Sequence, residues 1–142
     1  MKMKGILAAL IPALLLTAIA SQFMLPASAL ALTITNVSNI SGETDKVSIP
    51  HGGTGYPYVT FSKQYSQADI LYCDTLVTDQ GVVSSWSSEW KDASGQGTFN
   101  VQLTINIYAN AQYTVTHDAT VYGEGLYYGD RSSHAFKLTV TA

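Results

Sequence analysis

From Thr98 to Ala142 apolar and polar side chains alternate every second residue. In "TFNVQLTINIYA" Phe99, Val101, Leu103, Ile105 and Ile107 fall on one face, and Asn100, Gln102, Thr104 and Asn106 on the other. That period of two predicts a strand with one wet and one dry side. "YTVTHDATV" repeats it with Tyr113, Val115, His117, Ala119 and Val121 inward, and "HAFKLTVTA" with His134, Phe136, Leu138 and Val140 inward. The earlier segments "LTITNVSNI", "KVSI", "YVTFS", "ADILYCDTLVT" and "GVVSSWSSEW" are less regular but of the same kind; in the last, Val82, Trp86 and Trp90 share a face. Between them stand "SGETD", "PHGGTG", "TDQG", "KDASGQG" and "GEGLYYGDRSS", rich in residues that turn a chain. Seven or eight short strands punctuated this densely predict an all-β antiparallel sandwich over residues 32–142.

The first thirty-one residues follow another pattern. "MKMK" is cationic, "ILAALIPALLLTAIA" is apolar, and "SQFMLPASALA" closes on the small-residue run Ala29-Leu30-Ala31. This order predicts a signal peptide (1–31) cut after Ala31, hence export to the cell surface or medium. The Lys4-Gly5 pair before an apolar stretch also resembles the processing site of archaeal type IV prepilins. That resemblance implies cleavage after Gly5 and a retained hydrophobic helix, the one route by which the chain would stay in a membrane. Pro12 and Pro26 interrupt such a helix and favour ordinary secretion.

Within the sandwich, Cys73 stands thirteen residues before Trp86, and "ANAQYTVTHDATVYG" contains a Tyr-x-apolar strand preceded by small residues. This order resembles the immunoglobulin and fibronectin type III sandwich. The resemblance implies that Cys73 on a second strand packs against Trp86 on a third, that Tyr113 opens a later strand as a corner tyrosine, and that all three lie in the core. Val115 stands where an immunoglobulin domain would carry its second cysteine.

Charge and candidate chemistry narrow the function. Without the leader, five basic residues face ten acidic ones, a net charge of −5, which excludes a nucleic-acid footprint. Cys73 is the only cysteine, so no intramolecular disulfide forms, and its apolar setting predicts a buried thiol. His117 and His134 could face each other across adjacent strands and hold a metal with Asp118 or Asp130. Because Asp118 points to the opposite face from His117, two histidines satisfied within the sheet are the better expectation. No G-x-S-x-G elbow is present, Asp74, Asp79 and Glu89 have no fixed separation, and "HGGTG" lacks the lysine and helix of a phosphate cradle. The expectation is therefore a protein that is not an enzyme and takes no cofactor or metal.

Recognition has more to work with. "GYPY" (Tyr56, Tyr58) and "GLYYG" (Tyr127, Tyr128) place paired rings beside glycines in loops, suited to protein or glycan partners. Asn36 and Asn39 both head glycosylation sequons. Leu32, Ile34, Val37 and Ile40 form an apolar strand at a chain end, able to pair at home or to join a neighbouring subunit by strand addition. Two functions follow: a structural or adhesive surface protein, plausibly a pilus-like filament subunit self-associating through that strand, or a soluble secreted binding module or inhibitor working through its tyrosine loops.

Overall fold

In a computed structural model, residues 31–108, 112–128 and 130–142 are described. The leader predicted over 1–31 lies outside them, except for Ala31. Ten strands run in order: β1 (Leu32–Ser38), β2 (Lys46–Pro50), β3 (Thr54–Gly55), β4 (Tyr58–Lys63), β5 (Asp69–Thr78), β6 (Ser85–Ser88), β7 (Lys91–Ala93), β8 (Gly97–Asn106), β9 (Val115–Gly125) and β10 (Arg131–Thr141). A 3-10 turn, Asp79–Gly81, follows β5. Among the described residues no helix is long and apolar enough to cross a membrane.

The fold is a β-sandwich, as the alternation predicts, and Ig-like, as the resemblance implies, with ten strands where seven or eight are expected. One layer is β1-β4-β8, with β3 and β6 paired to the far half of β8; the other is β2-β10-β9-β5-β7. The first two strands join the layers, β1 lying antiparallel to β4 and β2 parallel to β10, with one parallel contact between them at Ser38 and Lys46. Between the layers lie Val59 and Phe61 of β4, Val101, Leu103 and Ile105 of β8, Ala119 and Val121 of β9, and Phe136, Leu138 and Val140 of β10, all buried. The inward sets read from the last three long segments are therefore largely those of the structure.

Irregularity in the earlier segments has a specific cause. β1 carries a bulge between Ile34 and Asn36, and β5 one between Cys73 and Thr75. An extra residue flips the parity of the pleat. Leu32, Ile34 and Val37 can thus all point inward although Ile34 and Val37 are three apart. In β5, Leu71 and Cys73 are buried, and Leu76 joins the same core after the bulge.

Several details of the Ig resemblance are corrected. Tyr113 is 75% exposed, because β9 starts only at Val115 and the tyrosine precedes the region that the other layer covers. Val115, at the very end of the β9–β10 ladder, is exposed for the same reason. Cys73 is buried, but on β5, which pairs with β9; Trp86 is only half-buried, on β6 at the margin of the other layer. Val82, Trp86 and Trp90 do not share a strand, since "GVVSSWSSEW" breaks into a loop, β6 and a two-residue link. Trp90, in that link, is 60% exposed.

Burial also decides the chemistry of Cys73. Loss of water around the thiolate pushes its pKa up to about 12, against a smaller opposing effect of Ser88 and with a further rise from Asp74. We expect no alkylation of native protein at pH 8 over hours and complete alkylation in denaturant. Rapid modification of the folded protein, read by mass, would contradict this packing.

Candidate functional site

Two features stand out from the core: the seat of β1, and the end of the sandwich that carries Tyr127 and Tyr128.

β1 is bound differently along its two edges. Toward β4 it makes a regular antiparallel ladder from Leu32 opposite Lys63 to Ser38 opposite Tyr58. Toward β10 no backbone ladder forms among the described residues. There the Ile34 N–H donates to Ser132 Oγ at 2.9 Å, and the Val37 N–H donates to Asp45 Oδ1 at 3.1 Å. Ile34 enters a recess that exists because residue 123 of β9 is glycine; a Cβ there would stand 2.5 Å from Phe61 and 3.3 Å from Ile34 Cδ1. Ile40, expected to belong to this strand, lies beyond its end and is 65% exposed.

Residues 39–45 leave β1 and return at β2 through a polar clasp. Asn36 Nδ2 donates to the Glu43 carbonyl, and Asn36 Oδ1 accepts the Asp45 N–H at 2.8 Å. Asp45, held at φ 51, accepts from Val37 and lies 2.8 Å from His134 Nε2, which requires a proton on that nitrogen. The two histidines are thus not a pair. His117 stands opposite Leu138 and His134 opposite Val121, and His117 Nδ1 meets Asp79 Oδ1 at 3.0 Å. Of the third ligands considered, Asp118 pairs with Lys137 on the surface. Among the described residues no three His, Cys, Asp or Glu side chains come close enough to hold a metal ion.

At the other feature, a buried polar network fixes the loop after β9. Lys63 continues the inward series Val59, Phe61, Lys63 and is 1% exposed. Its Nζ donates to the carbonyls of Tyr65 and Gly95 at 2.7 Å and lies 4.2 Å from the Tyr65 ring centroid. Burial lowers its pKa, with Asp69 opposing. The Tyr65 hydroxyl donates to Asp69 Oδ2 at 2.6 Å, while Asp69 Oδ1 accepts the N–H groups of Ile70 and Tyr127 at 2.8 Å. Burial first, then this bond, drives the Tyr65 pKa far above its ordinary value. Gly125 lets the two strands close here, since a Cβ would stand 2.1 Å from Asp69 Oδ2. Tyr128 packs edge-on against Tyr65, ring centroids 5.7 Å apart. The exposed Tyr127 and Tyr128 are thus anchored through the backbone of the first and the ring of the second.

Tyr56 and Tyr58 belong elsewhere. They stand at the start of β4 and the network lies past its end, so five residues of extended strand, about 17 Å, separate the two tyrosine pairs. Tyr56 is exposed and Tyr58 half-buried. The Lys63–Tyr65–Asp69 anchor did not figure among the expected site residues, although a lysine in the inward register of an apolar strand signals a buried cation.

Comparison with known proteins supports the architecture. The E. coli chaperone DraB superposes with a TM-score of 0.50 at 10% identity, over 78% of this chain and 54% of that one. This likeness is one of fold alone. The PapD-like domain 7 of human CEP192 (TM-score 0.40, 12% identity, 77% and 86% covered) and the cupredoxin domain of amoB from Nitrosocaldus yellowstonii (0.39, 13%, 63% and 56%) are more distant. This chain spans about half the length of DraB. No family model and no curated protein matches the sequence.

Two outcomes are expected from this geometry. Asp130, whose Oδ2 is buried without a partner among the described residues, has its pKa raised by burial and then by the Asp69 charge. The folded state therefore holds this proton more tightly than the unfolded chain, and stability falls as pH rises from the ordinary carboxylate range through the raised value. Asp130→Asn should melt higher than wild type at pH 7, the difference shrinking toward pH 3; equal melting at both pH values would refute it. Because the Asn36 amide is engaged on both sides, Asn36→Ala should cost about 2 kcal/mol in denaturant melts, two hydrogen bonds' worth. Any glycan found by mass spectrometry should sit on Asn39, of whose amide only Oδ1 is engaged, by the Ser48 N–H.

Proposed function

We propose that this protein is a non-enzymatic, exported structural or adhesive subunit that self-associates at the cell surface through its N-terminal strand, plausibly in a filament. The observation that carries this reading is the seat of β1. Leu32, Ile34 and Val37 are buried in a cleft between β4 and β10, yet the covalent link from the strand to the rest of the described domain runs through residues 39–45. Each of these side chains contributes about 2 kcal/mol by burial. A second copy's β1 would make the same contacts in the same cleft, so exchange costs only the release of the clasp at Asn36 and Asp45 and the entropy of association. Gly42 at φ 102 and Asp45 at φ 51 mark the places where the connection turns sharply enough to redirect. The leader pattern supports export, and low charge with abundant Ser, Thr and Tyr suits an extracellular surface.

A second reading rests on a different observation. Asp69 holds the backbone of Tyr127 and Tyr65 packs against the Tyr128 ring, which lowers the entropy lost when this loop meets a partner. A soluble binding module would use this loop as a monomer, with Tyr56 and Tyr58 too far away to share the contact.

Electron microscopy and light scattering of exported material separate the two. The first reading predicts oligomers or fibres, lost when Leu32 to Ile40 are deleted, with the deleted protein binding the peptide LTITNVSNI at micromolar concentration or tighter. A deleted chain that assembles like wild type would rule out the strand link. A strictly monomeric wild type whose partner binding disappears in Tyr127→Ala would establish the second reading instead.

A further inference from the structure

The two layers differ in charge on their outer faces. One carries the ion pairs of Arg131 with Asp74 and Glu124 and of Lys137 with Asp118. On the other, from Thr33 to Asn36 of β1, Tyr58 to Ser62 of β4, Thr98 to Asn106 of β8 and Ser85 to Ser87 of β6, every side chain turned away from the interior is Ser, Thr, Asn, Gln or Tyr. Charge appears at the two borders of this face. One row across the strands shows how: Lys46 stands opposite Ser38, Ser38 opposite Tyr58, and Tyr58 opposite Gln102. The row ends at Glu89, whose N–H donates to the Gln102 carbonyl at 3.0 Å. It thus runs from a cation to an anion through uncharged residues. Neither Lys46 nor Glu89 forms an ion pair among the described residues, and both are exposed.

Depletion of charge at the centre, tyrosine on the patch and charge at the rim are the composition of a protein interface. The arrangement selects a second copy of this chain as the occupant. With a net charge of −5 over residues 32–142, two copies repel least where neither presents a charge. Hydroxyl, amide and phenol groups each donate and accept, so this face is complementary to itself. A two-fold axis in the plane of contact, directed along the strands, lays the β1 border of one copy over the β6 border of the other. Lys46 then meets the partner's Glu89, and Glu89 the partner's Lys46. We propose that the outer face of β1-β4-β8-β6 is a self-association surface, on which a second copy packs the same face about this axis with two reciprocal Lys46–Glu89 pairs. In projection the patch measures about 20 Å along β4 and about 19 Å from Lys46 to Glu89, which suits a reversible contact and falls short of an obligate dimer. The contact leaves β1 in its seat, so it forms whether that strand belongs to the same chain or to a neighbour.

Sedimentation of the full exported protein over a range of concentrations should show this reversible association, and carbodiimide treatment should form a Lys46–Glu89 amide. Within one chain the two residues stand about 19 Å apart, too far to join, so the amide reports two copies. Lys46→Glu and Glu89→Lys should each weaken association about tenfold, and the double swap should restore it. Thr60→Lys, which brings like charges together on the central strand, should abolish association with an unchanged melting temperature. The charge swap decides the matter should that variant fold poorly. A wild type that stays monomeric at millimolar concentration, absence of the amide, or a double swap that restores nothing would each overturn the proposal. Oligomers lost on deleting Leu32 to Ile40 yet indifferent to Thr60→Lys and to the charge swap would leave strand exchange standing and overturn this surface. Thr60-dependent capture of an unrelated protein or glycan by a monomer would overturn it as well.

Discussion

The interior closes because residue 123 has no side chain. Phe61 from one layer and Ile34 from the first strand meet over the backbone of β9 at that point, in space that a single methyl group would fill. With Ile34 seated, β1 covers the edge of β4 and brings Leu32 and Val37 into the same dry volume. With it withdrawn, the flanks of β4 and β10 would face water. The first strand is thus both the closure of the domain and the part of it held least by its own covalent neighbours. The proposed strand exchange rests on that combination.

Polar groups inside the structure hold distant segments of the chain in place. Lys63 ties the chain at Tyr65 to the turn at Gly95, and Asp69 ties Tyr65 to the backbone of Tyr127, so one end of the sandwich is cross-braced in the absence of any disulfide. Buried networks of this kind are stable only when nearly every partner is matched. At the other end of β1, Asn36, Asp45 and His134 do the same for the connection to β2. In these two networks the carboxylates of Asp69 and Asp45 accept from backbone N–H groups, a phenol and an imidazole.

Much of the architecture was legible in the pattern of the chain. The inward residues of β8, the latter part of β9 and β10 follow simple alternation, because those strands are long and have one wet face. Position-specific expectations drawn from the Ig order fared less well. Cys73 and Trp86 have the expected spacing but occupy other strands, and Tyr113 falls before its strand begins. Sequence separation does not encode which layer a strand joins. The bulges at Thr35 and Asp74 were likewise hidden, since an extra residue in one strand is defined by its partner.

By itself the sequence determined which segments extend, where they turn and which face of each long strand avoids water, because alternation and turn chemistry act over a few neighbouring residues. Tertiary structure alone decided that His117 and His134 serve two different aspartates, that Asn36 is engaged on both sides, and that Trp90 lies flat on Tyr72. Each of those contacts joins residues on different strands or loops. Register and layer assignment, set by the packing of the whole domain, bring them together.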